Sequence, residues 1–228
     1  MLEQSAYEAQ EAWRSSGLFD HSRDKIILYA RTRAEADELS RLLGCAVYTA
    51  KIGTTTEKEE VLRKWISSPD QPYMVATTAL GAGFDHPYVR LVMHVNEPDS
   101  IIDFAQESGR AGRDGQRAYS FVMLPASWEP RQEPHPAESI EAWESTGRDA
   151  GLRKKRERKM MHEYLKGDRC FRTCLSEYLD LPAQRRWCMK EDVACDVCKV
   201  SHDEAVPPAR PPTNRAMIAR RALTMLAA

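Results

Sequence analysis

Several absences limit what this sequence can encode. It has no run near the roughly 18 apolar residues that a membrane-spanning helix needs, and its first residues lack the basic and apolar regions of a signal peptide. It also has no excess of charge, because 33 basic side chains stand against 34 acidic ones and the net charge is -1. We therefore expect an intracellular chain with no membrane partner, in which any polyanion is recognised by local patches of charge.

A phosphate-binding loop is also missing. No Gly-x-x-x-x-Gly-Lys-Ser/Thr string occurs, and no Asp-Glu-x-His follows an apolar strand. These motifs hold the phosphates and the Mg²⁺ ion in many nucleotide hydrolases. The sequence alone therefore carries at most part of an ATP site, and we expect ATP and Mg²⁺ to bind only where another domain completes that site.

Cysteine is present but unevenly distributed. Cys45 stands alone, whereas the other five of the six cysteines fall between Cys170 and Cys198. In a reducing compartment such a cluster favours a metal site over a set of disulfides.

Short apolar runs alternate with helical patterns across the first half of the chain. The predicted strands cover residues 26–30, 46–49, 73–77, 91–95 and 119–124. Four helices are predicted: a lead-in helix before residue 25, a helix marked by Ala36, Leu39 and Leu43, a helix opened by a Thr56–Glu59 capping box, and a helix from Ser100 that Gly109 ends. The alternation predicts an α/β fold with a parallel sheet and helices on both of its faces.

Changes in composition divide the chain into five parts. We expect a lead-in helix or linker at 1–24, an α/β domain at 25–125, a proline-containing linker at 126–150, a small cysteine-bearing domain at 151–203 and a tail at 204–228. Within the tail, residues 216–226 are predicted to form a short helix.

The strongest local signal is the string Gln-Glu-Ser-Gly-Arg-Ala-Gly-Arg-Asp-Gly at residues 106–115. Arg110 and Arg113 stand three apart in a glycine-rich loop that follows a short helix, so both guanidinium groups can reach one phosphate. The planar donor fork of arginine suits phosphate oxygens, and its charge stabilises a phosphoryl group during transfer. The alternative is an exposed turn, since Arg-Asp-Gly alone is common in surface turns.

This string resembles motif VI of the RecQ-like DNA helicases of superfamily two. Residues 76–85 are similar to motif V of that family, and residues 25–33 to motif IV. The match covers about residues 25–125, and its details resemble the telomere-linked helicases of fungi. It implies a RecA-like second motor lobe in an ATP-dependent 3′–5′ helicase, which acts with a first lobe in the same chain or in another one.

The resemblance also implies roles for individual residues. It places Arg110 and Arg113 on the γ-phosphate of ATP, and it places four further residues in the cleft between the lobes: Gln106, Gly81, Gly83 and Asp85. Near the DNA backbone it places Thr77 and Thr78, and Lys51 is a further candidate for a phosphate contact. For Gly81, Gly83 and Asp85 the alternative is an ordinary turn.

The cysteine cluster resembles the zinc subdomain of the same family, which implies that Cys170, Cys188, Cys195 and Cys198 hold Zn²⁺. The Cys195–Cys198 knuckle can place two thiolates on one ion. Cys174, one helical turn after Cys170, and His202 are rival ligands. A redox pair and buried apolar cysteines remain alternatives.

A basic stretch at residues 153–159, which begins with Arg153 and Lys154, can follow a phosphate backbone. It can equally be a solvated helix face or a signal for nuclear import. Two functions therefore remain open. One is a motor lobe that contacts ATP and single-stranded or junction DNA, and the other is a non-catalytic zinc-containing DNA-binding adaptor derived from such a helicase.

Overall fold

A computed structural model of the chain describes residues 2–15, 17, 19–81, 84–129, 150–180, 184, 186–189, 194–202 and 220–225. The helices are α1 (Leu2–Arg14), α2 (Arg33–Leu43), α3 (Thr55–Ser67), α4 (Ile101–Ser108), α5 (Ala150–Lys166), α6 (Phe171–Leu179) and α7 (Asp196–His202). The strands are β1 (Lys25–Ala30), β2 (Ala46–Tyr48), β3 (Tyr73–Ala76), β4 (Val89–Val95), β5 (Ala118–Met123) and β6 (Arg220–Met225). None of the described helices is long and apolar enough to cross a bilayer.

The sheet has the order β2-β3-β1-β4-β5-β6, and its first five strands are parallel. The parallel α/β fold expected from the sequence is therefore confirmed. Strands β1, β3 and β4 are buried along their whole length because helices cover both faces of the sheet. Strand β1 lies between β3 and β4, so it forms the centre of the sheet.

Two apolar clusters fill the two sides of this sheet. On one side, α1 and α2 contribute Ala6, Ala36 and Leu39 against alternate residues of the central strands. On the other side, Trp65 of α3 packs against the remaining face and is 2% exposed. Alternation of side chains along a strand delivers one set of residues to each cluster.

A third cluster joins the sheet to the cysteine-bearing part of the chain. Phe104 of α4 and Val122 of β5 pack there with Tyr164 of α5 and Phe171 of α6. Cys195 belongs to the same cluster and is fully buried. The cysteine region therefore packs directly on α4, the helix that leads into the glycine-rich loop.

Two local predictions are wrong. The capping box of α3 is formed by Thr54 and Glu57, not by Thr56 and Glu59. Both pairs have the same spacing, but Thr54 has the extended backbone that an N-cap requires, and the helix begins directly after it. Residues Arg220–Met225 form a strand that pairs antiparallel with β5, not the predicted terminal helix. The open hydrogen-bonding edge of β5 outweighs the local helix propensity of that alanine-containing segment.

Candidate functional site: an arginine loop and a four-cysteine cluster

The glycine-rich loop follows α4 as predicted. The Ser100 side chain caps the start of this helix by accepting hydrogen bonds from the next turn, and Gly109 ends it. The loop is then fixed to the sheet by the Gly112 N–H, which donates to the Val89 carbonyl at 2.9 Å, and by Ser108, whose hydroxyl lies 2.8 Å from that of Ser120. The loop is therefore positioned by α4 at its start and by hydrogen bonds to β4 and β5.

Gly112 is a position in the loop where only glycine fits. Its φ is +71°, and a Cβ there would lie 2.9 Å from the Gln116 carbonyl oxygen and 3.0 Å from the Ala118 Cβ. Both the left-handed backbone and the close approach exclude a larger side chain. The second glycine of the motif therefore lets the loop turn back against β5.

Arg110 faces inward. Its side chain donates to the carbonyls of Phe84 at 3.0 Å and Gly81 at 2.9 Å, and the residue is only 6% exposed. It therefore joins the motif VI segment to the motif V segment. A contact between Arg110 and ATP stays a prediction, and it requires the guanidinium to leave these two carbonyls.

Arg113 faces outward. It forms an ion pair of 3.0 Å with Asp85, and the side chains are 38% and 71% exposed, respectively. Such an exposed pair contributes little to stability and exchanges easily for another anion. Arg113 is therefore the arginine of this loop that can reach a phosphate without unfolding its surroundings.

The remaining predicted ATP and DNA residues lie at the end of α4 and in the segments that follow β2 and β3. Gln106 is exposed at the end of α4, whereas Thr77 is half-buried and Thr78 exposed just after β3. Lys51 is exposed after β2. Since ligands of parallel sheets bind beyond the carboxyl ends of the strands, the positions of Lys51, Thr77 and Thr78 suit a nucleic-acid contact, whereas the arginine loop contacts the start of β4. Gly83 lies outside the described residues.

Sequence reasoning missed a buried polar pair beside this loop. The His94 Nε2 lies 2.9 Å from the Glu107 carboxylate, and the imidazole stacks on Tyr29 with ring centroids 5.2 Å apart. Burial raises the pKa of the Tyr29 phenol, although the nearby Arg110 opposes that change. The signal in the sequence is Glu107, an ionisable residue on the apolar side of α4. A buried acid at such a position needs a hydrogen-bonding partner.

A second missed contact fixes the end of the loop. Arg90, at the start of β4, forms a two-pronged ion pair with Asp114, and its Nε lies 3.5 Å from Asp24. The Arg90 side chain is 5% exposed. Hydrogen bonding to Arg90 holds the pKa of the Asp114 carboxyl below its ordinary value. The Asp of the Arg-Asp-Gly triplet therefore anchors the loop and leaves Arg113 to face the solvent.

The structure brings the four predicted cysteine ligands together. The sulfur atoms of Cys170, Cys188, Cys195 and Cys198 all lie within 4.8 Å of one another. Those of Cys170 and Cys188 are 3.7 Å apart, and those of Cys170 and Cys195 are 4.0 Å apart. Four thiolates at about 2.3 Å from one zinc ion are separated by about 3.8 Å, so the cluster has the dimensions of a tetrahedral site.

The surroundings of these thiols change their acidity in opposite directions. At Cys170 burial opposes ionisation, but the N–H groups of Thr173 and Cys188 outweigh it and lower the pKa to about 6. Burial raises the pKa of Cys188 and of Cys198, and the neighbouring sulfur atoms act in the same direction. Several thiols so close together ionise jointly only when a cation neutralises them.

The rival ligands are placed differently. Cys174 is buried in the third apolar cluster and is not a member of the four-sulfur group. Burial raises the pKa of its thiol, as expected for a cysteine that fills apolar space. His202 ends α7, but its side chain lies outside the described part of the chain.

The basic stretch lies on α5, where Arg153 and Lys154 are exposed. The opposite side of this helix contacts the loop that follows β4. Glu97 accepts a hydrogen bond from Trp128 Nε1 at 2.9 Å and contacts His162 Nδ1 at 3.2 Å. This loop therefore connects the sheet to the helix that precedes the cysteine cluster.

Comparisons with known proteins relate the sequence of this chain to a family. Residues 11–115 match the model described as the helicase conserved C-terminal domain. The chain is 38% identical over 107 residues to the RecQ-like DNA helicase BLM of Xenopus laevis, which is 45% of this chain and 8% of that protein. It is 32% identical over 179 residues to a putative ATP-dependent DNA helicase Q1 of Caenorhabditis briggsae, which is 77% of this chain and 26% of that protein.

One further curated relative agrees with these two. The ATP-dependent DNA helicase RecQ of Synechocystis is 31% identical over 118 residues, which is 49% of this chain and 24% of that protein. Among solved structures, domain 2 of the DEAD-box helicase Mss116p, bound to an RNA duplex, has a TM-score of 0.46 and 19% identity over 53% of this chain and 48% of that one. The chain spans about a quarter or less of the length of these three curated relatives.

Proposed function

Because this chain contains the C-terminal motor lobe of a RecQ-like superfamily two helicase, we propose that it supplies one wall of the ATP site of a DNA helicase. The first lobe, in the same or another chain, supplies the phosphate loop and Mg²⁺. The single observation that carries this proposal is the exposed Arg113, which lies on a loop whose Arg110 and Asp114 side chains bind other segments of the lobe. The 3′–5′ direction and a nuclear location rest on the family resemblance alone.

In this proposal Arg113 approaches the γ-phosphate when the lobes close, and Asp85 gives up its ion pair. The guanidinium then stabilises the charge that develops during phosphoryl transfer. Arg110 keeps the motif V segment in register with the loop. Thr77, Thr78 and Lys51 contact the DNA backbone beyond the carboxyl ends of β2 and β3. Arg110 joins the segment after β3 to the arginine loop, so nucleotide and DNA bind to connected segments.

The chain alone should hydrolyse ATP negligibly, and addition of a separately produced first lobe of a RecQ-like helicase should restore DNA-stimulated hydrolysis. Arg113→Ala should reduce the restored rate by about 10³-fold, the order by which an arginine finger acts. Arg117→Ala, which removes an exposed arginine just beyond the same loop, is the matched control. Robust hydrolysis without the first lobe, or full activity of Arg113→Ala, would contradict the proposal.

We also propose that Cys170, Cys188, Cys195 and Cys198 hold Zn²⁺. The donor set supports this, since four thiolates at tetrahedral spacing form a closed site with no position for substrate. The ion would tie the start of α6 to α7 and so fix a small domain against α4. It supplies structural stability, while the chemistry remains with the arginine loop.

A second function, a DNA-binding adaptor without ATP chemistry, is favoured by the exposed basic face of α5. Arg153 and Lys154 could neutralise phosphates whether or not a first lobe is present. The mixing experiment separates the two functions. Salt-dependent binding of single-stranded DNA that Lys154→Ala weakens, together with no restored hydrolysis, would establish the adaptor.

A further inference from the structure

Cys188 is the ligand of the four-cysteine cluster with the least local support. Cys195 and Cys198 share one knuckle at the start of α7, and Cys170 directly precedes α6. Cys188 lies in a non-helical segment, seven residues before Cys195. Its sulfur atom therefore needs contacts from elsewhere to hold its position.

Two donors converge on this sulfur atom. The guanidinium of Arg172 places its Nη1 3.1 Å from the Cys188 Sγ, and the Cys195 N–H donates to the same atom at 3.3 Å. Arg172 belongs to the first turn of α6, two residues after Cys170. The helix that positions one ligand thus also carries a charged donor to another.

We infer that Arg172 is a positioning residue for the metal site, one that aims the Cys188 thiolate and stabilises its negative charge. The inference rests on the zinc proposal above. A Zn²⁺ ion with four thiolates carries a net charge of about -2, so a buried or half-buried site gains from a cation outside the ligand set. Hydrogen bonds from a charged donor to an anion are also about twice as strong as neutral ones.

The same contact accounts for the wide spacing between Cys188 and Cys195. A ligand held by a knuckle is aimed by its own backbone, whereas Cys188 is aimed by a side chain from a different element. Arginine suits this role because its planar fork stays charged and keeps a fixed direction. The long side chain reaches the sulfur atom without bringing the two backbones together.

The test is the rate at which the purified chain releases zinc to an excess of a chelator, followed by the absorbance of the zinc complex of 4-(2-pyridylazo)resorcinol. Arg172→Ala should release zinc about 10-fold faster than the unaltered chain, the lower end of the effect of removing a supporting contact. Arg172→Gln keeps a neutral donor and should fall between the two. Arg169→Ala removes an arginine of the same region that pairs with Glu177, and it should leave the rate unchanged.

A second readout separates loss of position from loss of a ligand. With Co²⁺ in place of zinc, the sulfur-to-cobalt charge-transfer band should keep the intensity of four thiolates in Arg172→Ala, whereas Cys188→Ser should reduce it. Equal release rates for Arg172→Ala and the unaltered chain would overturn the role of Arg172 and leave the zinc site standing. A pure chain that contains no zinc and binds none would overturn both.

Discussion

At the scale of single residues, some polar side chains of the arginine loop bind neighbouring segments and others face the solvent. Arg110 and Asp114 are bound to neighbouring segments, whereas Arg113 contacts the exposed Asp85 and the Gly109 carbonyl of its own loop. Both arginines fit the same sequence motif, so the motif alone does not tell them apart. The difference arises from Gly112, whose left-handed backbone turns the chain between them.

The ion pair between Asp114 and Arg90 should make stability depend on pH in a defined window. The pKa of Asp114 is lowered in the folded chain, so its contribution is fully present above its ordinary value near 3.8 and is lost as the pH falls through the folded value. Asp114→Asn should therefore lower the free energy of unfolding by about 2 kcal/mol at pH 7 and by much less near pH 3. Urea unfolding at both pH values measures this.

The exposed Asp37 of α2 provides the control for that measurement, since Asp37→Asn removes the same charge without breaking a buried pair. If Asp114→Asn lowered the free energy of unfolding by the same amount at both pH values, the shape of the side chain and not its charge would hold the loop.

At the scale of elements, the loop between β4 and α4 connects the sheet to α5. Glu97 accepts from Trp128 and contacts His162, while Ser100 donates to Glu157 at 2.9 Å. These contacts are buried or half-buried, so they are worth more than surface pairs. The orientation of α5, and with it the cysteine cluster, therefore depends on a loop of the motor lobe.

Glu97→Ala should loosen α5 from the lobe. Loss of one acceptor leaves Trp128 Nε1 and His162 Nδ1 without their shared partner, and we expect a loss of about 1–3 kcal/mol in the free energy of unfolding. Hydrogen exchange should show faster exchange in α5 with unchanged protection in β1. The control is Glu163→Ala, since Glu163 pairs with Lys166 of the same helix. Equal effects of both variants on hydrogen exchange in α5 would show that Glu97 does not fix this helix to the lobe.

The five parallel strands of the sheet could be predicted from the sequence, and the contacts between elements could not. Short apolar runs such as Ile26 to Ala30 mark buried strands because both faces of a parallel sheet are covered. The capping box was misplaced by two residues, since Thr54 and Thr56 each precede a glutamate at the same spacing. Strand β6 has no local signal, because its pairing with the edge of β5 is a tertiary effect.

The candidate site shows the same division. The cysteines and the two arginines are recognisable by residue type and spacing, and the structure brings the four sulfur atoms together. Arg90 lies far in sequence from Asp114, the residue that it contacts. Arg172 lies in an ordinary helix and contacts Cys188 from there. Nothing in the local sequence therefore marks either arginine as a supporting residue. Supporting contacts of this kind become visible only once the fold is known.

At the scale of the whole molecule, the sheet and the cysteine region share one apolar cluster but should differ in their dependence on metal. Removal of zinc by a chelator should expose α6 and α7 to hydrogen exchange, because four unlinked thiols then replace a closed site. Strands β1 and β4 should keep their protection, since their apolar surroundings come from α1, α2 and α3. Loss of protection throughout the sheet would show that the two regions unfold as one unit.

The order of the strands has a consequence for how this chain reaches its fold. Strand β1 is made first, yet both of its neighbours come later, β3 at Tyr73 and β4 at Val89. A growing chain therefore carries the apolar segment Ile26–Ala30 with no complete place to bury it until Val95 has left the ribosome. Pairings so distant in sequence form slowly, and during that interval this segment is the part of the lobe most exposed to aggregation and to capture by chaperones.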